Sequence, residues 1–322
     1  MLDLPQLSGN ILPEGANAPD AVFDPDLIQM AFWQFDEKFE RFTLPQCQDL
    51  VNAANVRILL NATAMTLDSS DNGRQITEVT VGSLTGRRTR VRARCFILAT
   101  GGLEVPRLLL NSKTQAHPDG ISNQHDRVGR YFMEHPHARG GRIITDDPAR
   151  LFKSLPRFRR HQGLRYGMLL RPGEALQARE ALLNSCFTLG VRLNEGEQQQ
   201  FYKNIYNNLR HDLSPTAFGR AMWKLTKKAS TLVQDRFGAA LNLRKLKQPG
   251  SGIHAVIRAE QAPNPDSRVT VNPEARDALG LPRLTLDWQF SAIDKHSVTG
   301  MMAGSNPPTG WPTVTGSGNS IL

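Results

Sequence analysis

The sequence predicts an α/β piece followed by a second domain of the α+β class, and two observations carry this prediction. The unbroken apolar segment Cys95–Ala99 is followed by Thr100-Gly101-Gly102 and by the start of a helix. This pattern is typical of a strand buried on both faces of a parallel sheet. Between Gly140 and Gly190, arginine-rich segments alternate with apolar ones, which is typical of an antiparallel sheet with helices.

Composition excludes several classes of protein. The chain has 322 residues, of which 39% are hydrophobic and 21% charged, and its formal net charge is +9. Such a chain can fill a core and is neither disordered nor of low complexity. No segment approaches the ~20 apolar residues of a membrane helix, and the first twenty residues lack the pattern of a signal peptide. We therefore expect no membrane span and no export signal, with the cytoplasm as the default location.

Turn residues and alternation set the expected elements before residue 95. Asp71-Asn72-Gly73 and Thr85-Gly86 are turns that need a positive φ. They connect an apolar strand to two alternating ones and so predict a three-stranded antiparallel meander. The expected elements are one short helix in Pro25–Phe42, a helix over Gln46–Ala54 and the meander strands Val56–Leu60, Ile76–Val81 and Thr89–Ala93.

The glycines after Cys95–Ala99 suggest a ligand site. In open α/β sheets, nucleotides bind where parallel strands end and helices begin. Glycine also lets the backbone approach a ribose or a phosphate closely. A helix opens near Glu104, with Pro106 in its first turn. The alternative is a plain structural turn without a ligand.

In the second half, one basic stretch raises the question of nucleic acid. Lys203–Lys247 contains ten Lys or Arg but only Asp212 and Asp235, and a nucleic-acid groove would need such a patch. The aromatic residues recur at helical spacing with apolar neighbours, however, so we interpret the stretch as an amphipathic helix with a solvated basic face. We expect no nucleic-acid partner. The other elements expected here are a helix near Gly173–Leu183 and strands at His254–Ala259, Arg268–Val271 and Arg283–Trp288.

Cysteine and histidine spacing predicts no metal site. The chain has three cysteines, Cys47, Cys95 and Cys186. They match no ligand spacing, and we interpret them as reduced core thiols. A zinc site would need His125, His135 and His137. Strand alternation places His135 and His137 on the same face, and only His125 could then complete the ligand set, so we do not expect zinc.

Three long segments together resemble the glucose/methanol/choline (GMC) oxidoreductases, particularly their bacterial sugar and alcohol dehydrogenases and the pyranose oxidases. The segments are VRARCFILATGGLEVPRLLLNS, DRVGRYFMEHP and EQAPNPDSRVTVNPEARDALGLPRLTLDWQFSAIDKHSV. The resemblance implies a partial Rossmann-type FAD-binding domain with a β-meander over residues 1–133. It also implies a substrate-binding domain of antiparallel sheet with helices over residues 134–302, and an atypical tail over residues 303–322.

The resemblance further implies FAD as the cofactor and a sugar or another alcohol as the substrate. Its CH-OH group would be oxidised by hydride transfer to the flavin. Each cofactor-contact position that the resemblance suggests has a packing role as its alternative. These positions are Val56, Ala99, Thr100, Gly101, Gly102 and Glu104.

Two elements of the family pattern are absent from the sequence. No strand, GxGxxG turn and helix precede Val56, and Gly316-Ser317-Gly318-Asn319 has neither a strand before it nor a helix after it. The terminal region that carries the catalytic histidine in the family has no counterpart, so the weak candidates are His296, which we interpret as an exposed helical residue, and Asn306. We expect an incomplete FAD-dependent oxidoreductase that binds FAD weakly or not at all, or one completed by a second chain. The alternative is an inactive or carbohydrate-binding remnant, so the sequence leaves open whether this chain is an enzyme.

Overall fold

The computed structural model describes residues 24, 26–35, 43–155, 158–161, 164–193, 204, 207, 216–303 and 313–315. The chain divides into two compact units. Unit 1 comprises Met1–Glu37, His135–Glu260 and Ala292–Leu322, and unit 2 comprises Lys38–Glu134 and Gln261–Ser291. The functions that we expect for the two domains stay predictions.

The described residues of unit 2 form two small antiparallel sheets and two helices. Its elements are a 3₁₀ turn at Leu44–Gln46, α1 (Gln48–Val51), β2 (Thr63–Ser69), β3 (Ile76–Gly82), β4 (Arg88–Arg92), α2 (Gly101–Asn111), β10 (Arg268–Arg276) and β11 (Pro282–Asp287). Strands β2, β3 and β4 form the predicted meander, and β10 pairs with β11. Both predicted turns are confirmed, since φ is +68° at Gly73 and +85° at Gly86.

The core of unit 2 joins the meander to α2. Leu67 from β2, Leu108 from α2 and Ile121 from the following loop form one buried cluster. A buried hydrogen bond reinforces this contact, because the Leu67 N–H donates to Ser112 Oγ over 2.9 Å. Helix α2 is thus held in place along its C-terminal half.

In unit 1 the described residues form a seven-stranded sheet with strand order β1-β7-β8-β9-β5-β12, and β6 also pairs with β7. Its strands are β1 (Ile28–Phe35), β5 (His137–Ile144), β6 (Phe158–His161), β7 (Leu164–Pro172), β8 (Ser185–Arg192), β9 (Gly252–Ala259) and β12 (Thr313–Thr315). Its described helices are α3 (Pro148–Ser154), α4 (Glu174–Glu180), α5 (Ala217–Leu246) and α6 (Ala292–Ala303). The predicted helix near residue 173 and the predicted strands between residues 254 and 288 are confirmed.

The core of unit 1 lies between this sheet and its helices. Leu176 of α4, Ile257 of β9 and Met301 of α6 are completely buried. Ala239 and Leu243 of α5 pack against the same cluster. Unit 1 therefore has the mixed antiparallel sheet and helices that the sequence predicts.

The two predicted apolar strands near residue 56 and before α2 are wrong. Val56–Leu60 and Cys95–Ala99 belong to no strand, and the first meander strand is β2 instead. Ile97 is 87% exposed. A strand buried on both faces needs hydrogen-bonded neighbours, and every pairing between strands in the described part of the chain is antiparallel and lies elsewhere.

Two further expectations need correction. Within Pro25–Phe42, where the sequence predicts one short helix, residues 28–35 form the strand β1 instead, and this strand pairs with β7 along its whole length. The long-range pairing overrides the local pattern there, and residues 36–42 lie outside the described residues. None of the three cysteines forms a disulfide, as expected, but none lies in the core, and Cys95 is exposed because it belongs to the segment outside any strand before α2. The thiol of Cys186 is half-buried, and this burial raises its pKa.

Candidate functional site

The site begins at the N-terminus of α2. The helix starts directly after Thr100, whose side chain makes no capping hydrogen bond, and Gly101 has φ +88°. The first backbone N–H groups of a helix have no partner within the helix and attract anions. Pro106 adds a second irregularity, because it has no N–H to donate to the Gly102 carbonyl four residues earlier.

An open cavity of about 430 Å³ adjoins this first turn. A volume of this size lies in the usual range of small-molecule sites, roughly 300–1,000 Å³. A Cβ on Gly102 would meet no atom within 4 Å, so the space beside it is free. The cavity is lined by Gly102, Val105, Pro106, Leu109, Val128, Gly129, Arg130, Tyr131, Phe132, Met133 and Val269.

The loop Val128–Met133 forms another part of the cavity wall and is fixed to β10 and to Ser267 directly before it. The Val269 N–H donates to the Gly129 carbonyl over 2.7 Å, and the Phe132 N–H donates to the Ser267 carbonyl over 2.8 Å. The completely buried hydroxyl of Ser267 donates to the Phe132 carbonyl over 2.7 Å. The approach at Gly129 is so close that a Cβ there would lie 2.2 Å from the Val269 oxygen.

Arg130 is engaged within the protein rather than available as an anion clamp. Its Nε donates to the Asp126 carbonyl over 2.7 Å and its Nη1 to the Pro265 carbonyl over 3.0 Å, and it forms an ion pair with the Asp126 carboxylate. Arg268 also donates to Asp126, over 2.9 Å. Hydrogen bonds from Arg130 and then from Arg268 hold the pKa of Asp126 below its ordinary value. Attraction of an anion to this cavity thus depends on the first turn of α2.

Only some of the predicted cofactor residues lie at the cavity. Gly102 lines the cavity and Gly101 starts the helix beside it. Ala99 and Thr100 are exposed in the segment directly before α2, and Val56 is exposed outside any strand. Glu104 forms an ion pair within the protein, because its Oε2 lies 3.2 Å from Arg107 Nη1, and this contact indicates a structural role. A cofactor role for any of these residues stays a prediction.

Sequence reasoning did not single out the wall formed by residues 128–133. The segment DRVGRYF, residues 126–132, contributed to the family resemblance, but none of its residues was predicted to contact a ligand. The available signal was Gly129, whose φ is +86° and which no other residue type fits at this close approach.

Neither of the two weak catalytic candidates is among the described residues that line this cavity. Asn306 lies outside the described residues, as does Gly316-Ser317-Gly318-Asn319. His296 belongs to α6 in unit 1, and its Nε2 lies 2.8 Å from the Glu180 carbonyl at the end of α4. This contact gives the histidine a structural role.

We therefore expect His296→Ala to destabilise unit 1 by about 1 kcal/mol, the usual net value of one hydrogen bond. His296→Gln, which keeps an amide donor, should lose less. Urea unfolding of both variants measures this difference. Unchanged stability in both variants would contradict the structural role of His296.

The described residues show neither a metal cluster nor a membrane helix. No group of three or more His, Cys, Asp or Glu side chains is placed to hold a metal ion within the described ranges. Likewise, no helix in the part of the chain that the structure describes has the length and apolar character needed to cross a bilayer.

No family model matches the chain. The fructose dehydrogenase large subunit of Gluconobacter japonicus is 24% identical over 227 residues, which cover 70% of this chain and 34% of the relative. A 2-methyl-1,2-propanediol dehydrogenase of Mycolicibacterium austroafricanum is 36% identical over 64 residues, 20% of this chain and 12% of the relative. The chain is distantly similar to two dehydrogenases. It spans about a third of the length of the fructose dehydrogenase subunit.

Among the solved structures that match, an Aspergillus oryzae formate oxidase studied for its FAD modification has a TM-score of 0.34 and 18% identity. The match covers 78% of this chain and 42% of that chain. At low identity, the two sequence similarities support an oxidoreductase like those of the GMC family.

Proposed function

We propose that this chain is part of an FAD-dependent oxidoreductase that oxidises a CH-OH group of a sugar or another alcohol. The cavity at the start of α2 would hold the adenosine and pyrophosphate end of the cofactor. The observation that carries the proposal is the position of Gly102, a predicted cofactor residue, on the wall of that cavity. The distant similarity to two dehydrogenases supports the reaction class.

The residues of the cavity fit this part of FAD. The uncapped first turn of α2 offers N–H groups to a pyrophosphate. Apolar side chains such as Leu109 and Val128 line the same space and suit the flat face of an adenine. When bound, the flavin end of FAD supplies the hydride acceptor. The chain's own contribution is to hold and orient the other end.

Further polypeptide is required to complete the cofactor site under this proposal. Val56–Leu60 and Cys95–Ala99 expose apolar side chains, including Ile97. Exposed apolar segments of this kind often mark contact surfaces. We propose that a second chain or segment with a glycine-rich phosphate loop covers them, and that the substrate's proton acceptor also comes from outside the described residues. No histidine is among the described residues that line the cavity.

The first test is a titration of the purified chain with FAD, in which binding is monitored by the fluorescence of the flavin. We expect weak binding that ADP displaces and that Gly102→Leu reduces at least tenfold by filling the open space. The matched control is Gly238→Leu, because a Cβ at this position in α5 also meets no atom within 4 Å. Equal FAD binding by both variants and the native chain would contradict the placement of the site.

The second test concerns completeness. Affinity purification of this chain from its native extract should recover a protein that carries a GxGxxG sequence. A stoichiometric yellow complex formed by this chain alone, and bleached by sugars, would contradict the proposal that the site is shared.

A further inference from the structure

Helix α5 exposes an apolar stripe that the rest of the described chain does not cover. Phe218 is 71% exposed, Leu225 63% and Leu232 66%. With Met222 and Ala229, which are also exposed, they recur at intervals of four and three residues. This spacing places all five on one face of the helix. The sequence predicts a solvated basic face, and among the described residues an apolar face of the same helix is exposed as well.

The C-terminal part of α5 anchors the helix in unit 1. Leu243 and Leu246 pack against the main core. Asp235 lies 2.9 Å from Arg165 Nη2, and the side chain of Arg165 is only 8% exposed. The stripe belongs to the preceding part, Ala217–Gln234. Eighteen helical residues extend about 27 Å at 1.5 Å per residue, so the exposed face is long enough for a substantial contact.

Charge identifies the kind of partner that this face suits. Ala217–Gln234 contains four basic residues and no Asp or Glu. All four basic side chains are exposed: Arg220, Lys224, Lys227 and Lys228. A helix with Lys and Arg on its polar face and Phe and Leu on the other is typical of segments that lie in the membrane interface.

We propose that the stripe of α5 docks unit 1 on an anionic membrane surface. The apolar side chains enter the boundary between headgroups and acyl chains, while the lysines remain near the anionic headgroups. A coiled coil is less suitable, because its flanking positions normally carry charges of both signs, and this segment carries one sign only. Two copies would also bring their positive charges together.

The test is co-sedimentation of the full chain with vesicles. We expect binding to vesicles of phosphatidylcholine with 30% phosphatidylglycerol, weaker binding at high salt, and little binding to phosphatidylcholine alone. Leu225→Glu with Leu232→Glu should reduce the binding at least tenfold. The matched control is Ser230→Glu with Gln234→Glu, which makes the same charge change on exposed positions of the same helix outside the stripe. The vesicle binding of this control variant should fall less than fivefold.

Two results would overturn the proposal: no binding of the native chain to the anionic vesicles, or an equal loss of binding in the two double variants. If vesicle binding is absent and the stripe variant abolishes a dimer in solution, the stripe is an interface between two copies instead. Circular dichroism confirms that each variant is folded, as expected for exposed positions. The vesicle assay needs no flavin, and α5 lies in unit 1 whereas the cavity lies in unit 2. A failed vesicle experiment therefore does not contradict the proposed function, and a failed FAD titration does not contradict membrane docking.

Discussion

Gly129→Ala should destabilise unit 2 by at least ~3 kcal/mol, the largest effect that we expect from a single methyl group in this chain. Two costs combine at this position. The φ of +86° is unfavourable for any residue with a Cβ. The added Cβ would also lie 2.2 Å from the Val269 carbonyl oxygen, so the loop must move away from β10 and give up its hydrogen bond to the Val269 N–H.

Hydrogen exchange of the Val269 amide measures this effect at the site itself. Gly86→Ala is the matched control, since φ there is +85° and a Cβ would meet no atom within 4 Å. It carries only the backbone cost of about 1 kcal/mol. Similar protection of the Val269 amide in both variants would contradict the close approach at Gly129.

Arg107→Ala should destabilise unit 2 by about 2–3 kcal/mol, because this one side chain connects α2 to the start of β11 and to the turn between β10 and β11. Its Nη2 lies 2.5 Å from Asp277 Oδ2, and its Nε donates to the Pro282 carbonyl over 3.0 Å. The Arg107 side chain is only 15% exposed, so these contacts are less screened by solvent than surface pairs. Urea unfolding followed by a probe in unit 2 measures the loss. Arg179→Ala is the control, because its ion pair with Glu180 is exposed and should contribute less than ~0.5 kcal/mol.

Arg107→Ala should also change the pKa of Asp277, and with it the dependence of stability on pH in the acidic range. Burial raises the pKa of Asp277, but hydrogen bonds from Arg107 and from the Leu281 and Leu279 N–H groups outweigh it, so the pKa lies below its ordinary value of 3.8. The carboxylate therefore stabilises the fold above pH 3.8, and this contribution is lost as the pH falls through the lower, folded pKa. Arg107→Ala should move the Asp277 pKa upward in an NMR titration. An unchanged Asp277 pKa would contradict the coupling.

Local chemistry made part of the fold predictable from the sequence. The turns at Gly73 and Gly86 were recognisable because their geometry needs residues that tolerate positive φ. The strands β3, β9 and β11 and the helix α2 follow local alternation or helix-start signals. Gly102 was singled out because two glycines follow an apolar run.

The remaining features depend on partners far away in the sequence. An apolar run such as Cys95–Ala99 shows that a segment can be buried, but not which strand, if any, lies beside it. Strand β1 is fixed by β7, more than a hundred residues later. Likewise, the cavity wall at Gly129 exists only because β10 returns to unit 2, and no local pattern encodes this contact.

Photoaffinity labelling tests the central claim most directly, namely that the start of α2 receives the adenosine end of FAD. An FAD analogue with an azide on the adenine ring is bound to the chain and photolysed, and the labelled peptides are identified by mass spectrometry. We predict labelling within Gly101–Met133 that ADP competes and Gly102→Leu suppresses, while Gly238→Leu leaves it intact. Labelling confined to other segments, or labelling that Gly102→Leu does not reduce, would contradict the account.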